Sequence, residues 1–207
     1  ADGIAAATRA SGIPIVGGDV TDGERLSFAI TVLGHTPRVL SRAGARAGDT
    51  LYVTGRLGGP GAALKAWQRG EQPSAEARER FARPVARVAA GAWLVRHGAH
   101  AAIDVSDGLA GDVAHLAAAS AVRCVLALDA IPRMTNVSSD DALASGEEYE
   151  LLVAAPSLDV ARFAAENGGL TLTAIGRVEA AQGAGEVVAE RDGALIGLPS
   201  THDHFAR

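Results

Sequence analysis

The stretch Ile103-Asp104-Val105-Ser106-Asp107-Gly108-Leu109 sets two carboxylates and a hydroxyl where an apolar run breaks into a helix. Ahead of it, Ala99 to Ile103 reads as a short buried strand; behind it, Leu109, Val113, Leu116 and Ala117 recur at helical spacing. Asp104 thus belongs to a strand end and Asp107 to a first helical turn. Hard cations such as Mg²⁺ take carboxylate oxygens, and helix N-termini offer free backbone N–H groups to phosphates. The same residues also suit a plain helix cap, because Ser and Asp are preferred at N-caps and acids complement the positive end of the helix dipole. The segment by itself leaves both readings open.

Working outward, strands and helices interleave. Thr50 to Thr54 reads as a strand, followed by a helix from Ala62, helical stretches Ser74 to Ala82 and Pro84 to Arg96, and a strand at Val122 to Leu128. A helix over Ser139 to Ala144, another near Leu158 to Ala165, strands at Leu170 to Ile175 and Glu186 to Glu190, and a turn at Arg191-Asp192-Gly193 complete the pattern. At the start, Ile4 to Ala10 looks helical, and Ile13 to Val16 and Leu26 to Leu33 read as a hairpin around Gly17-Gly18-Asp19. Interleaving of this kind implies an α/β or α+β layer fold. The small, polar stretch Ser41 to Asp49 reads as a linker, which puts a domain boundary near Ala47, between 1–47 and 48–207.

The 207 residues, 48% hydrophobic and 21% charged, have the make-up of globular material with a sizeable core. A formal net charge of -5 argues against a general nucleic-acid or anionic-membrane binder. Lys65 is the only lysine, and the lone Cys124 sits in an apolar run, so it reads as a buried core thiol rather than part of a disulfide framework or thiolate site. No segment approaches the eighteen or more apolar residues of a spanning helix, and the opening residues lack the regions of a signal peptide. The expectation is a cytoplasmic protein. Because the chain opens without methionine, directly into a helical pattern, it is also expected to be the C-terminal part of a longer one.

Three more stretches carry chemistry-bearing residues. Gly17-Gly18-Asp19 lets a backbone approach a ligand and offers an oxygen to a cation, though Gly and Asp also make ordinary turns. Gly55-Arg56-Leu57-Gly58-Gly59-Pro60-Gly61, between strand and helix, has the form of a phosphate cradle without the Lys and Ser/Thr of a Walker loop. Ser145-Gly146-Glu147-Glu148-Tyr149-Glu150-Leu151-Leu152-Val153 puts three carboxylates around a tyrosine as a strand begins, where glutamate is depleted; an exposed acidic loop is the simpler account. The histidines of Thr201-His202-Asp203-His204-Phe205 read as solvated rather than as a metal motif.

Taken in order, Val16 to Asp19, Ser41 to Ala45, Gly48 to Gly55, Ile103 to Leu109, Ser145 to Leu152, Ile175-Gly176-Arg177-Val178 and Asp203-His204-Phe205 closely resemble the thiamine-monophosphate kinase family. That family shares a superfamily with aminoimidazole ribonucleotide synthetase, whose members pair an N-terminal ATP-binding domain with a C-terminal α/β domain. The resemblance implies residues 1–47 as a remnant of the first domain and 48–207 as the second. It implies ATP-dependent, Mg²⁺-dependent phosphorylation of thiamine monophosphate to thiamine diphosphate, with several Mg²⁺ ions and a homodimeric full-length protein. By resemblance, Asp19, Asp104 and Asp107 bind Mg²⁺; Gly18, Asp19, Arg42 and Ser106 contact ATP; Glu147, His202 and Phe205 contact the substrate. Two residues depart from the family: Glu148 stands where aspartate is usual, and His202 where an aromatic is common. The family's early acidic motifs do not occur in the chain, so these 207 residues alone are expected to have little kinase activity. The alternatives are a superfamily member using ATP with a different acceptor, or a non-catalytic relative that binds a nucleotide or thiamine phosphate.

Overall fold

In the computed structural model, which describes residues 2–36, 38–183 and 185–198, the strand β1 (Thr50–Thr54) sits inside a sheet covered on both faces. Its apolar run explains why. Leu51 and Val53 enter one core, Tyr52 enters another, and all three are buried. A strand buried on both faces shows no polar alternation.

The other strands are β2 (Ala101–Val105), β3 (Val122–Ala127), β4 (Glu150–Ala155), β5 (Leu172–Ala180), β6 (Glu186–Arg191) and β7 (Ala194–Ile196). They form one sheet in the order β2-β4-β1-β5-β3-β6-β7. Neighbours run antiparallel except β3 and β6, which are parallel. One core packs α5 (Leu109–Ser120) and α6 (Ser139–Ala144) through Leu109, Val113, Leu116 and Leu143. The opposite core packs α4 (Val88–Arg96) and α7 (Val160–Glu166), where Trp93 meets Phe163 edge-on at 5.1 Å. A helical pair, α2 (Gly59–Gln68) and α3 (Ala75–Ala82), closes over Ala63, Ala77 and Met134. Cys124 is fully buried, and burial pushes its thiol up to about 12. The layered α/β expectation is therefore met.

Several local expectations change. Residues 84–87 are not helical, so α4 begins at Val88. Proline is tolerated only in a first turn, and the residue before it is pushed toward extended backbone. The strand after Arg191-Asp192-Gly193, β7, was not foreseen; Asp192 and Gly193 both take positive φ, as a tight hairpin turn requires.

Contacts divide the chain into two units, 1–36 and 37–207. In the first, α1 (Asp2–Ser11) is followed by residues that form no strand, so the expected hairpin around Gly18 is absent. Leu26, Phe28, Ile30 and Val32 alternate as a strand should, yet all are at least 68% exposed. Alternation marks a face to be buried, but strand formation also requires a hydrogen-bonding neighbour. Residues 38–45, although assigned above to the N-terminal remnant, run along the second unit. Arg38 donates to the Ala99 carbonyl at 2.5 Å, Ala102 N–H donates to the Ser41 carbonyl at 2.9 Å, and Ala45 is buried in the core.

One close approach tests this arrangement. A Cβ on Gly176 would lie 2.1 Å from the Val125 carbonyl oxygen of β3. Backbone cannot yield there without parting β3 from β5, so Gly176→Ala is expected to destabilise the protein by about 3 kcal/mol. Thermal unfolding should show a midpoint roughly 10 °C lower.

Candidate functional site

The register of β2 against β4 builds the site. Asp104 pairs with Leu151 and Val105 with Glu150, so the end of β2 meets the beginning of β4. The loops beyond the two strands are tied together as well. Glu147 N–H donates to the Ser106 carbonyl at 2.7 Å, and Tyr149 N–H donates to the Val105 carbonyl at 2.8 Å. A Cβ at Gly146 would lie 2.7 Å from the Ser106 carbonyl oxygen, so only glycine admits this contact between loops.

Asp104, Asp107 and Glu147 are exposed at this end, and Ser106 is half-buried. The helix-cap account of Ser106 and Asp107 does not hold, because α5 opens at Gly108 with no side-chain cap. The loop is fixed from behind instead. Asp112, 1% exposed, accepts the N–H groups of Ser106 and Asp107 at 3.0 and 3.1 Å. Burial pushes its carboxyl up to about 6; those two hydrogen bonds pull it down, and the charges of Asp107 and Asp104 add to the rise. Tyr149 reports the same negative field. Its phenol is raised by its hydrogen bond to Glu147, then by burial and by the charges of Glu147, Asp104 and Asp107.

The Gly-Glu-Glu-Tyr-Glu segment alternates in function as well as direction. Glu147 and Tyr149 face outward, whereas Glu148 and Glu150 are 3% and 0% exposed. Glu150 accepts Arg87 Nε and Nη2 at 2.8 and 2.6 Å, Arg80 Nη1 at 2.7 Å and Thr54 Oγ1 at 2.6 Å. Burial opposes its charge, but Arg87, Thr54 and Arg80 prevail and hold its carboxyl below the usual range. Glu148 accepts Ser145 Oγ at 2.6 Å, the Gly58 N–H and Arg80 Nη2 at 3.0 Å, yet burial still pushes its carboxyl up. Arg80 and Arg87 were missed in the sequence; the available signal was two glutamates entering a buried strand, which require cations.

The glycine loop before α2 is not a phosphate cradle in this fold. Gly58 N–H goes to Glu148, Gly61 N–H to Ser145 Oγ at 3.0 Å, Gly55 N–H to the Thr171 carbonyl and Leu57 N–H to the Pro132 carbonyl. The helix N-terminus already holds an anion, the protein's own Glu148.

Other expected residues lie elsewhere. Arg42 is exposed, and its carbonyl accepts Ser120 Oγ at 3.0 Å at the far end of α5, roughly 17 Å along that helix from the Asp107 loop. The same hydroxyl accepts the Gly44 and Ala45 N–H groups. Gly18 and Asp19 belong to the first unit, where both are exposed and Asp19 accepts its neighbour's Val20 N–H at 2.8 Å. His202 and Phe205 lie outside the described residues.

Among the described residues no three acid, histidine or cysteine side chains converge as a metal cage. Mg²⁺ is usually held by one or two carboxylates together with phosphate and water oxygens, so the exposed pair Asp104 and Asp107 fits a cation carried in on phosphates.

Glu150→Gln leaves Arg87 without its anion and should destabilise the protein by about 3–5 kcal/mol at pH 7. Since Glu150 titrates below an unfolded glutamate, the stability it supplies is lost as pH falls below about 4.5. The deficit of the variant in denaturant titrations should shrink accordingly. Asp112 behaves oppositely. With its carboxyl raised to about 6 from an ordinary 3.8, the folded state holds the extra proton between those values, and stability falls as pH rises through them. Asp112→Asn should flatten that part of the stability profile by about 1–3 kcal/mol.

The family model described as "AIR synthase related protein, C-terminal domain" matches residues 46–189. The thiamine-monophosphate kinase of Methanopyrus kandleri is 37% identical over 195 residues, covering 87% of this chain and 60% of that protein. The crystal structure of thiamine-monophosphate kinase from Stenotrophomonas maltophilia K279a aligns with a TM-score of 0.65 at 36% identity, covering 74% of this chain and 53% of that one. A structure described as AaThiL complexed with AMPPCP and TMP aligns at 0.59 and 30% identity, covering 77% and 52%. The chain thus spans about 60% of the length of this curated relative. With its seven-stranded sheet and the match over 46–189, the chain belongs to the AIR synthase related proteins, as a carrier of their C-terminal domain.

Proposed function

We propose that the protein, in its full length, transfers the γ-phosphoryl group of ATP to thiamine monophosphate, giving thiamine diphosphate and ADP. The observation that carries this reading is the meeting of the Asp104–Asp107 loop with the Glu147–Tyr149 loop across the ends of β2 and β4. In a chain similar to thiamine-monophosphate kinases, that meeting supports a reading in which the two loops contact phosphate and acceptor.

In the reaction a terminal phosphate oxygen of thiamine monophosphate attacks the γ-phosphorus, and the bond to the β-phosphate breaks toward ADP. Phosphoryl transfer of this kind depends on positioning and charge stabilisation rather than a covalent protein intermediate. Asp104 and Asp107 would hold Mg²⁺, with Asp19 contributed by the N-terminal domain. Bound there, Mg²⁺ offsets the repulsion between the two sets of phosphates. Ser106 presents its hydroxyl to a phosphate from a backbone that Asp112 keeps in place. Glu147 faces the cationic thiazolium of the acceptor. Gly18 and Arg42 are proposed as further nucleotide contacts. His202 and Phe205 are proposed as further acceptor contacts. The full-length protein is a cytoplasmic homodimer.

The test is phosphoryl transfer from ATP to thiamine monophosphate by the full-length gene product with Mg²⁺. Asp104→Asn combined with Asp107→Asn should lower kcat by at least about 100-fold, the order lost with one preorganised charge stabiliser. An unchanged rate in that variant removes the metal assignment. Binding without any turnover in the wild type favours the non-catalytic reading, and turnover with another phosphate acceptor favours a different member of the superfamily.

A further inference from the structure

Tyr149 has a backbone conformation rare for a residue of its size. Its φ is 51°, and that of Glu147 is 61°, so two residues with large side chains adopt the left-handed region on either side of Glu148. For a bulky residue this conformation is an outlier, and such strain persists where surrounding structure fixes it. Here the fixing groups are the Glu147 and Tyr149 N–H bonds to the Asp104–Asp107 loop and the buried carboxylate of Glu148 between them. The ring gains little core in return, because Tyr149 is 37% exposed. What the geometry does achieve is one contact: Tyr149 Oη donates to Glu147 Oε2 at 2.8 Å.

We infer that Tyr149 is a positioning residue for Glu147, holding one carboxylate oxygen through its hydroxyl so that the other faces a cationic acceptor. The inference rests on the proposed function for the identity of that acceptor, but not for the contact itself. An unrestrained glutamate on an exposed loop samples several rotamers, and binding must then freeze them. The phenol performs that ordering beforehand, so its effect falls on acceptor affinity rather than on nucleotide affinity.

The experiment compares the wild type, Tyr149→Phe, Glu147→Ala and the double variant in the full-length enzyme, with thermal unfolding measured alongside. Tyr149→Phe should raise KM for thiamine monophosphate about fivefold, the loss of one hydrogen bond to a charged group at a solvent-exposed site. KM for ATP should move far less, and the Phe substitution should add nothing once Glu147 is Ala. An unchanged KM for thiamine monophosphate, an equal rise for both substrates, or additive effects in the double variant overturns the positioning role. If the wild type does not use thiamine monophosphate, the proposed function fails, and crystal structures of the wild type and Tyr149→Phe decide the positioning role. A Glu147 carboxylate that keeps its place without the hydroxyl overturns it; one that swings away supports it.

Discussion

Glu150 is a fully buried carboxylate at the first position of a core strand, and the rest of the site depends on how its charge is met. An unpaired carboxylate in such surroundings would take up a proton instead of remaining charged. Arg87 grips it with two donors, Arg80 adds a third, and Thr54 from the adjacent β1 adds a fourth. Two residues earlier Glu148 shares Arg80 and takes the Gly58 N–H at the start of α2. One ion network therefore fastens α3, the segment before α4 and the mouth of α2 to the beginning of β4. Such networks are poor sources of net stability but strict specifiers of geometry, because removing any partner strands a buried charge.

That strictness explains the outward-facing residues. With Glu148 and Glu150 fixed inward and the Glu147 and Tyr149 N–H groups tied to Ser106 and Val105, the segment has no freedom to relax, and Glu147 and Tyr149 are left in left-handed conformations. Each such residue costs roughly 1–3 kcal/mol. On the other side of the site, Asp112 spends its own buried carboxylate on two backbone N–H groups of the Asp104–Asp107 loop. The exposed acids are thus held by two rigid supports, one cationic and one anionic. Carboxylates that repel one another stay close only because the backbone beneath them is immobilised from both directions.

Much of this fold was legible. The apolar runs at β1, β3 and β4 and the helical spacing of α5 are local signals, and Asp104 and Asp107 stood out as acids at a strand end. The strand order was not legible, because pairing β1 between β4 and β5 depends on contacts about a hundred residues or more apart in the chain. Arg80 and Arg87 were silent for a related reason: in sequence they look like any solvated arginines of a charged stretch. Asp112 carried a weak signal, an acid on the same helix as Leu109, Val113 and Leu116, where a buried helix face should be apolar. The Gly55–Gly61 loop misled in an instructive way. One of its glycines, Gly58, does serve an anion, but the anion is internal. In the first unit the alternating residues from Leu26 to Val32 were read correctly as a pattern and wrongly as a strand, since pattern supplies the face and not the partner.

Position 148 shows how location changes the meaning of a substitution. Read from sequence, a glutamate in place of the usual aspartate lengthens a side chain by one methylene in a ligand-contacting motif. In the structure that side chain points away from the motif's exposed face and ends among Gly58 N–H, Ser145 Oγ and Arg80. The extra reach is therefore absorbed at the start of α2, where an aspartate would require Gly58 and Ser145 to approach β4 more closely. The exposed carboxylate of Glu147 and its tyrosine partner keep their orientation, because their backbone is set by Ser106 and Val105 rather than by the length of the side chain between them.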